Sequence, residues 1–330
     1  MEKKVRMADI AEKLNISVVS VSKALSDKEG VSEATREKIK SVARQMGYTP
    51  LRTKTPAPNM GSTGNIGILV ADHFFADSNF YANLYRQLSL RCNECGYAAL
   101  LEIVTAENVK GRVMPAMIQR KKVDGLVFMG QLDPEYITAV IQSGIPYILV
   151  DFHDEQIRAM CVTSDNLVGG YQLTQHLLDS GRQKIGFVGS ILATSSIMER
   201  FLGYTKALLK AGLTVRMDWV LEDRNEKGEF CPLVMPEQMP SAFLCSCDEV
   251  AYNLVQQLQA AGYRVPEDVA VVGYDDYHYA LVCKPRLTSY RVDLERMGRV
   301  AVNQLLKAIN GTMIHGKIVV GGDLVRREST

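Results

Sequence analysis

Several residues in this 330-residue chain are of types that can do chemistry, but few are spaced for it. Asp72-His73 and Asp151-x-His153 can each be read as an acid–base pair, yet no serine or cysteine nucleophile elbow accompanies either. The five histidines form no spaced motif. Gly186 to Ser190, GFVGS, lacks the glycine spacing that cradles a pyrophosphate, and there is no P-loop. Cys92-x-x-Cys95 and Cys245-x-Cys247 are the close cysteine pairs. The first sits in a helical pattern and the second ends an apolar strand, with no second CxxC or paired histidine to complete a metal site. Neither an enzyme, a metal site nor a cofactor is expected. What the residues do offer is recognition chemistry. Near the N-terminus hydroxyls, valine methyls and a lysine crowd into Ser17, Val18, Val19, Ser20, Ser22 and Lys23. Valine can pack on a thymine methyl, and an ammonium can reach a guanine edge or a phosphate. Ser17, Ser22, Ser32 and Thr35 suit phosphate contacts, although helix capping alone would explain Ser17 and Ser32.

Three short helices must hold these groups. Met7 to Leu14 carries Ile10, Ala11 and Leu14 on one face. Asn15-Ile16 makes a tight turn, and Ser17 is placed to cap Val18 to Leu25. Asp27 to Val31 is a polar loop; Ser32 caps a third helix to Met46, which Gly47 ends. Ile10, Leu14, Val21, Ala24, Leu25, Ile39, Val42 and Ala43 can bury a small core. Val18 and Val19 flank Val21, and one helix cannot bury all three against so little. Two helices joined by a short turn suggest a helix-turn-helix whose second helix enters the DNA major groove. Charge agrees. The chain carries a formal +1, but residues 1–55 hold twelve Lys/Arg and seven Asp/Glu, leaving −4 for the remainder. A basic unit on an acidic body fits phosphate contacts at one end.

DIAEKLNISVVSVSKAL, GVSEATREKI and MGYTP, in that order and spacing, resemble the headpiece of the LacI/GalR transcriptional repressors. The resemblance implies base reading by the second helix, where many relatives carry arginine in place of Lys23. It also implies a short hinge helix after the headpiece. Residues 51–64, LRTKTPAPNMGSTG, depart from that pattern, because Pro56, Pro58, Gly61 and Gly64 exclude a regular helix through the centre. Either the hinge works differently or Leu51 with Met60 does a reduced version of its work.

Beyond Gly64 the pattern is α/β. Apolar runs at Ile66–Ala71, Ala98–Val104, Asp124–Met129 and Tyr147–Asp151 alternate with helical stretches at Phe80–Cys95, Lys110–Lys122 and Glu135–Ser143. A second series follows, with helices at Asn166–Ser180, Ser196–Ala211 and Glu249–Ala261 and strands at Lys184–Gly189, Ala242–Ser246 and Val269–Tyr274. Pro285 to Val292 then leads into a helix from Leu294 to Ile309. Continuous apolar strands between helices mean parallel sheets covered on both faces, hence two doubly wound lobes. The expected organisation is a helix-turn-helix headpiece (1–50), a linker (51–64), one lobe from 65–162 with 291–321, and a second from 163–290 with 322–330.

SDNLVGGYQLTQHLLDSGRQKIGFVG, ERFLGYTKAL, AAGYRVPEDVAVVGYDD and PRLTSYRVDLERMGRVAV extend the resemblance to nearly the whole chain, and to the related periplasmic sugar-binding proteins. Ligands of such sheets bind beyond the carboxyl ends of the strands, here between the lobes. The resemblance implies an effector held by Asp151, Asp275 and Arg200 of R-x-x-G, with Asp72 ending the first strand and facing the same cleft. A guanidinium suits vicinal hydroxyls or a carboxylate, and an aspartate accepting two hydroxyls is a common way to hold a sugar. A surface ion pair or a helix cap is the competing reading, especially for Asp276 and Asp248. Phe74, Phe75, Phe80, Tyr81, Phe152 and Tyr277 follow strand ends and can supply a stacking wall, with Phe80 and Tyr81 preferred. Cys247 stands where sugar-responsive relatives have asparagine, and Met129 replaces a polar residue. The ligand is then less polar than a free hexose, differently oriented, or absent.

One headpiece reads too few bases for useful specificity, so a homodimer on pseudo-palindromic double-stranded operator DNA is expected, switched by a sugar-like small molecule. The N-terminus lacks an apolar signal core and no run of 18 apolar residues occurs, so a cytoplasmic protein with reduced thiols and no membrane partner is expected. The alternative is a cytoplasmic or exported sugar-binding protein without DNA binding.

Overall fold

The structure, a computed structural model, describes residues 5–25, 30–46, 48, 62–75, 79–225, 228, 230–312 and 315–330. The chain forms two compact units, Met1–Ala57 and Pro58–Thr330.

In the first unit, helices α1 (Met7–Leu14), α2 (Val18–Leu25) and α3 (Glu33–Gln45) close on a core of Ile10, Ala11, Val21, Ala24, Ile39 and Ala43. Leu14, Leu25 and Val42 pack against it from its margin. Ser17 Oγ accepts the Ser20 N–H at 3.0 Å and starts α2. Ser32 Oγ accepts the Thr35 N–H at 3.3 Å and starts α3. Arg36 is the buried charge that the pattern did not reveal. Its guanidinium donates to the carbonyls of Lys23 and Ala24, acceptors that the end of α2 leaves without helical partners, and to that of Val31 ahead of α3. The expected loop at Asp27 to Val31 lies partly, and the stop at Gly47 wholly, outside the described residues. So does the linker up to Gly61.

The second unit holds two six-stranded sheets. Its strands are β1 (Asn65–Ala71), β2 (Ala98–Val104), β3 (Gly125–Met129), β4 (Tyr147–Val150), β5 (Met160–Ser164), β6 (Ile185–Val188), β7 (Val220–Leu221), β8 (Ala242–Cys245), β9 (Ala270–Asp275), β10 (Thr288–Arg291), β11 (Gly316–Val320) and β12 (Asp323–Val325). The first sheet has the order β11-β5-β4-β3-β1-β2 and is parallel throughout. The second has the order β12-β10-β9-β8-β6-β7, with β12 antiparallel at its edge. Buried runs such as NIGILVA and GLVFM form central strands because both faces are covered. Helices α4 (Asp72–Phe75), α5 (Asn79–Glu94), α6 (Ala106–Lys110), α7 (Ala116–Gln119) and α8 (Pro134–Ile141) follow the first strands. Helices α9 (Asn166–Asp179), α10 (Ser195–Lys210), α11 (Asp248–Ala260) and α12 (His278–Val282) belong to the second series. The chain then returns through α13 (Leu294–Ile309), which packs on α5 and the first sheet. It passes between lobes after β5, after β10 and after β11.

Two expectations need correction, and one strand was not anticipated. Lys110 to Lys122 is not one helix: Pro115 lacks the N–H that a helix interior needs, and Arg112 sits at φ +47°, so α6 and α7 are separate turns. Asp72 opens α4 rather than ending β1. Met160–Ser164 is a full strand, although it reads as half polar.

The contact that positions the site is between α9 and α10. A Cβ on Gly170 would lie 2.3 Å from the Arg200 carbonyl oxygen, and one on Gly203 would lie 2.2 Å from that of Leu167. Glycine at both places lets the backbones meet, and this brings Arg200 beside α9.

Candidate functional site

On the first unit, Val18 and Val19 are 46% and 64% exposed, whereas Val21 is fully buried. Two methyl-bearing side chains at the start of α2 are therefore presented outward while the third locks the helix down. Ser17 is exposed; Ser20, Ser22 and Lys23 are half-buried. The Ser17 and Ser20 hydroxyls lie 2.9 Å apart, and those of Ser32 and Thr35 lie 2.7 Å apart. Ser17 and Ser32 thus cap helices and stay on the surface while doing so, with the Ser20 and Thr35 hydroxyls bonded to them.

In the second unit a cavity of about 460 Å³ opens between the carboxyl ends of the two sheets. Asp72, Phe80, Tyr81, Asp151, Arg200, Cys247 and Asp275 all line it, so residues far apart in the chain meet in one place. Of the remaining aromatic candidates, Phe74 and Tyr277 also line it; Phe152 is buried in the core instead. Met129 is likewise fully buried in the hydrophobic core and does not line the cavity, so it bears on packing rather than on a ligand. The cavity also takes Gln131, Ser196, Arg224 and Glu249, which the sequence did not single out. Gln131 could have been found, since it lies just past β3. Arg224 lies in a segment without a readable pattern.

Asp151 and Asp275 stand one residue past β4 and at the end of β9, one in each lobe. Both hold positive φ, 71° and 103°, which is uncommon for any residue but glycine and costs backbone energy. Asp151 is 5% exposed; Tyr81 O–H donates to its Oδ2 at 2.8 Å, while Oδ1 has no hydrogen-bond partner. Asp275 Oδ1 has none either; Arg200 Nη2 approaches it only to 3.8 Å. Burial pushes the Asp151 carboxyl up to about 6, against the pull of Arg200 and Tyr81. Burial pushes Asp275 up to about 7; Arg200 opposes this and Asp151 adds to it.

Arg200, 6% exposed, is fixed on three sides. Nε–H donates to Asn166 Oδ1 at 2.9 Å, Nη1 donates to the Ser246 carbonyl, and the guanidinium carbon lies 3.7 Å over the Tyr274 ring. Asn166 in turn donates to Glu199 at 3.3 Å, and Glu199 pairs with Lys317 of β11 in the other lobe. Burial pushes the Cys247 thiol up to about 12, so it is a small neutral wall and not a nucleophile. Asp248 and Asp276 are structural: Asp248 accepts from Ser289 at 2.6 Å, and Asp276 pairs with Arg291 and Arg327. Among the described residues no group of three or more potential ligands can hold a metal ion, and no helix is long and apolar enough to cross a membrane.

A three-helix unit thus precedes a two-lobe body that encloses, at its strand ends, a cavity lined by carboxyl groups and aromatic rings. Residues 6–50 match the family of bacterial regulatory proteins, lacI family, and residues 174–330 match the periplasmic binding protein-like domain. The chain belongs to the LacI/GalR family of DNA-binding transcriptional regulators. The HTH-type transcriptional repressor PurR of Haemophilus influenzae (strain PittEE) is 29% identical over 334 residues, covering 97% of both chains. In fold, the chain matches the transcriptional regulator CelR in complex with cellobiose, with a TM-score of 0.70, 24% identity and coverage of 99% and 100%. It also matches the Lac repressor dimer bound to operator and the anti-inducer ONPF, with a TM-score of 0.68, 22% identity and 99% coverage of each chain.

Proposed function

We propose that this protein is a transcriptional repressor that binds a pseudo-palindromic operator as a homodimer and is switched by a small, sugar-like effector held between its lobes. The headpiece is residues 1–50, and the lobes are 65–162 with 291–321 and 163–290 with 322–330. Val18 and Val19 read bases, Lys23 reaches a guanine edge or a phosphate, Ser17, Ser22, Ser32 and Thr35 serve phosphates, and Ser20 lies beside them on the DNA-facing side of α2. Asp72, Phe80, Tyr81, Asp151, Arg200, Cys247 and Asp275 form the effector site. Its relatives are named as repressors, and one fold neighbour was solved with a disaccharide.

The observation that carries the effector reading is the pair of buried aspartate oxygens without donors, one from each lobe, at a single cavity. Native structures satisfy buried polar atoms, and a bound molecule with donors does so here. Such a molecule touches both lobes and so favours one angle between them. A coupling of about 1–3 kcal/mol between cavity and operator is enough for useful switching.

The test is operator selection from a random duplex pool, then anisotropy titration of the selected site with and without compounds that raise the melting point. Binding that weakens steeply with salt and changes with such a compound supports the reading. A protein that selects no sequence yet binds small molecules is instead a binding protein without DNA recognition.

A further inference from the structure

The cavity between the lobes is short of cations. Asp72, Asp151, Glu249 and Asp275 line it against Arg200 and Arg224. Both arginines are engaged by the protein. Arg200 is held by Asn166, Ser246 and the Tyr274 ring. Arg224 lies 2.7 Å from Asp223, with its guanidinium 4.7 Å over Phe230. Two carboxyl groups, each with an oxygen lacking any donor, are thereby enclosed with one shared guanidinium at 3.8 Å from the nearer oxygen. Hydroxyls of a neutral ligand would supply donors but no charge. Buried carboxylates need both. The wall is aromatic, from Phe74, Phe80, Tyr81 and Tyr277, and the faces of such rings attract cations.

We propose that the ligand of this cavity carries a protonated primary amine seated between Asp151 and Asp275, on a hydroxylated ring: an amino sugar rather than a neutral hexose. This rests on the reading of the cavity as the effector site. The amine donates to Asp151 Oδ1 and Asp275 Oδ1, the ring stacks on the aromatic wall, and the two lobes are drawn onto one charge.

The full-length protein is titrated calorimetrically with glucosamine and glucose, galactosamine and galactose, and mannosamine and mannose, each pair differing in the amine. At least one amine is expected to bind about tenfold or more tightly than its neutral partner, the usual worth of a charge-assisted hydrogen bond in a buried site. N-acetylglucosamine, similar in shape but uncharged, should gain nothing over glucose. Asp151→Asn and Asp275→Asn should each remove most of the amine preference, and having both guards against one variant failing to fold. Equal or tighter binding by the neutral partners overturns the proposal, as does the absence of binding by every amine. A thermal-shift panel of neutral sugars, sugar phosphates and nucleobases separates this from the broader reading. A hit there with the amines silent removes the amine and keeps the effector site. Silence throughout removes both.

Discussion

Ser196, at the start of α10 in one lobe, donates its hydroxyl to the backbone carbonyl of Asp151 in the other at 2.8 Å. Neighbouring bonds also cross from lobe to lobe, in both directions. The Ser195 N–H donates to Gln131 Oε1 at 2.8 Å, and the His153 N–H donates to Ser195 Oγ at 3.1 Å. The N-terminus of α10 is therefore a latch between lobes, fastened to the residue whose carboxyl faces the cavity. Ser196→Ala removes one fastening. The lost bond is worth about 1 kcal/mol, or roughly fivefold in the population of closed lobes. Small-angle scattering should show a larger radius of gyration without effector, and effector affinity should fall by a similar factor. No change in either would mean that this bond does not hold the lobes together.

Arg200 offers a sharper test, because its geometry and its charge can be separated. Arg200→Lys keeps a cation in the cavity but cannot fork to Asn166 and Ser246 while covering Tyr274. Effector affinity is expected to drop by about tenfold or more, since an ammonium forms fewer directed bonds. If Arg200→Lys binds the effector as well as the wild type, the residue acts only as a point charge.

How much of this was readable from residue order depends on burial. IGILVA and VAVVGY announce central strands because every position is apolar. MCVTS does not, since Thr163 and Ser164 are buried polar residues, and Ser164 instead shares a hydrogen bond with Tyr274 at 3.0 Å. Asp151 and Asp275 stood out because each is the first charge after an apolar strand. Arg200 stood out only through the family resemblance of its R-x-x-G stretch; that Gly203 permits the helix crossing is seen in the structure alone. Arg224 and Glu249 could not be found this way. Their membership in the cavity comes from a loop and a helix start folding toward the other lobe, and no local pattern encodes that.

Asp275 gives a prediction with a definite pH window. Asp151, Arg200, Arg224 and Glu249 face it, with Asp248 close behind. Its carboxyl is pushed from the usual 3.8 up to about 7 by burial. Below pH 3.8 it is protonated in folded and unfolded chains alike and costs nothing. As pH rises toward 7 the unfolded chain ionises first, so stability falls, and above 7 the loss is complete. Asp275→Asn cannot titrate. It should unfold at higher urea concentration than the wild type at pH 8, with little difference near pH 4. Each pKa unit is worth about 1.4 kcal/mol, so the gain at pH 8 is on the order of a few kcal/mol. A variant less stable than the wild type at pH 8 would show that the pairing with Arg200 outweighs the cost of burying the charge.

Val19 separates base reading from phosphate binding. Its side chain is 64% exposed, so Val19→Ala removes little packing and should shift folding stability by no more than about 0.5 kcal/mol. If the methyls meet a thymine methyl in the major groove, operator affinity falls by about three- to tenfold. The loss should concentrate at one base pair, vanishing when that thymine is replaced by uracil. Because valine touches no phosphate, the slope of log affinity against log salt should stay as in the wild type. Lys23→Gln should behave differently if its ammonium sits on a phosphate: affinity falls on all sequences alike, and the slope becomes shallower by about 0.9. Anisotropy titrations of both variants at four salt concentrations, on the selected operator and its uracil-substituted form, distinguish the two roles. A uniform loss for Val19→Ala across all sequences would place that residue outside the groove.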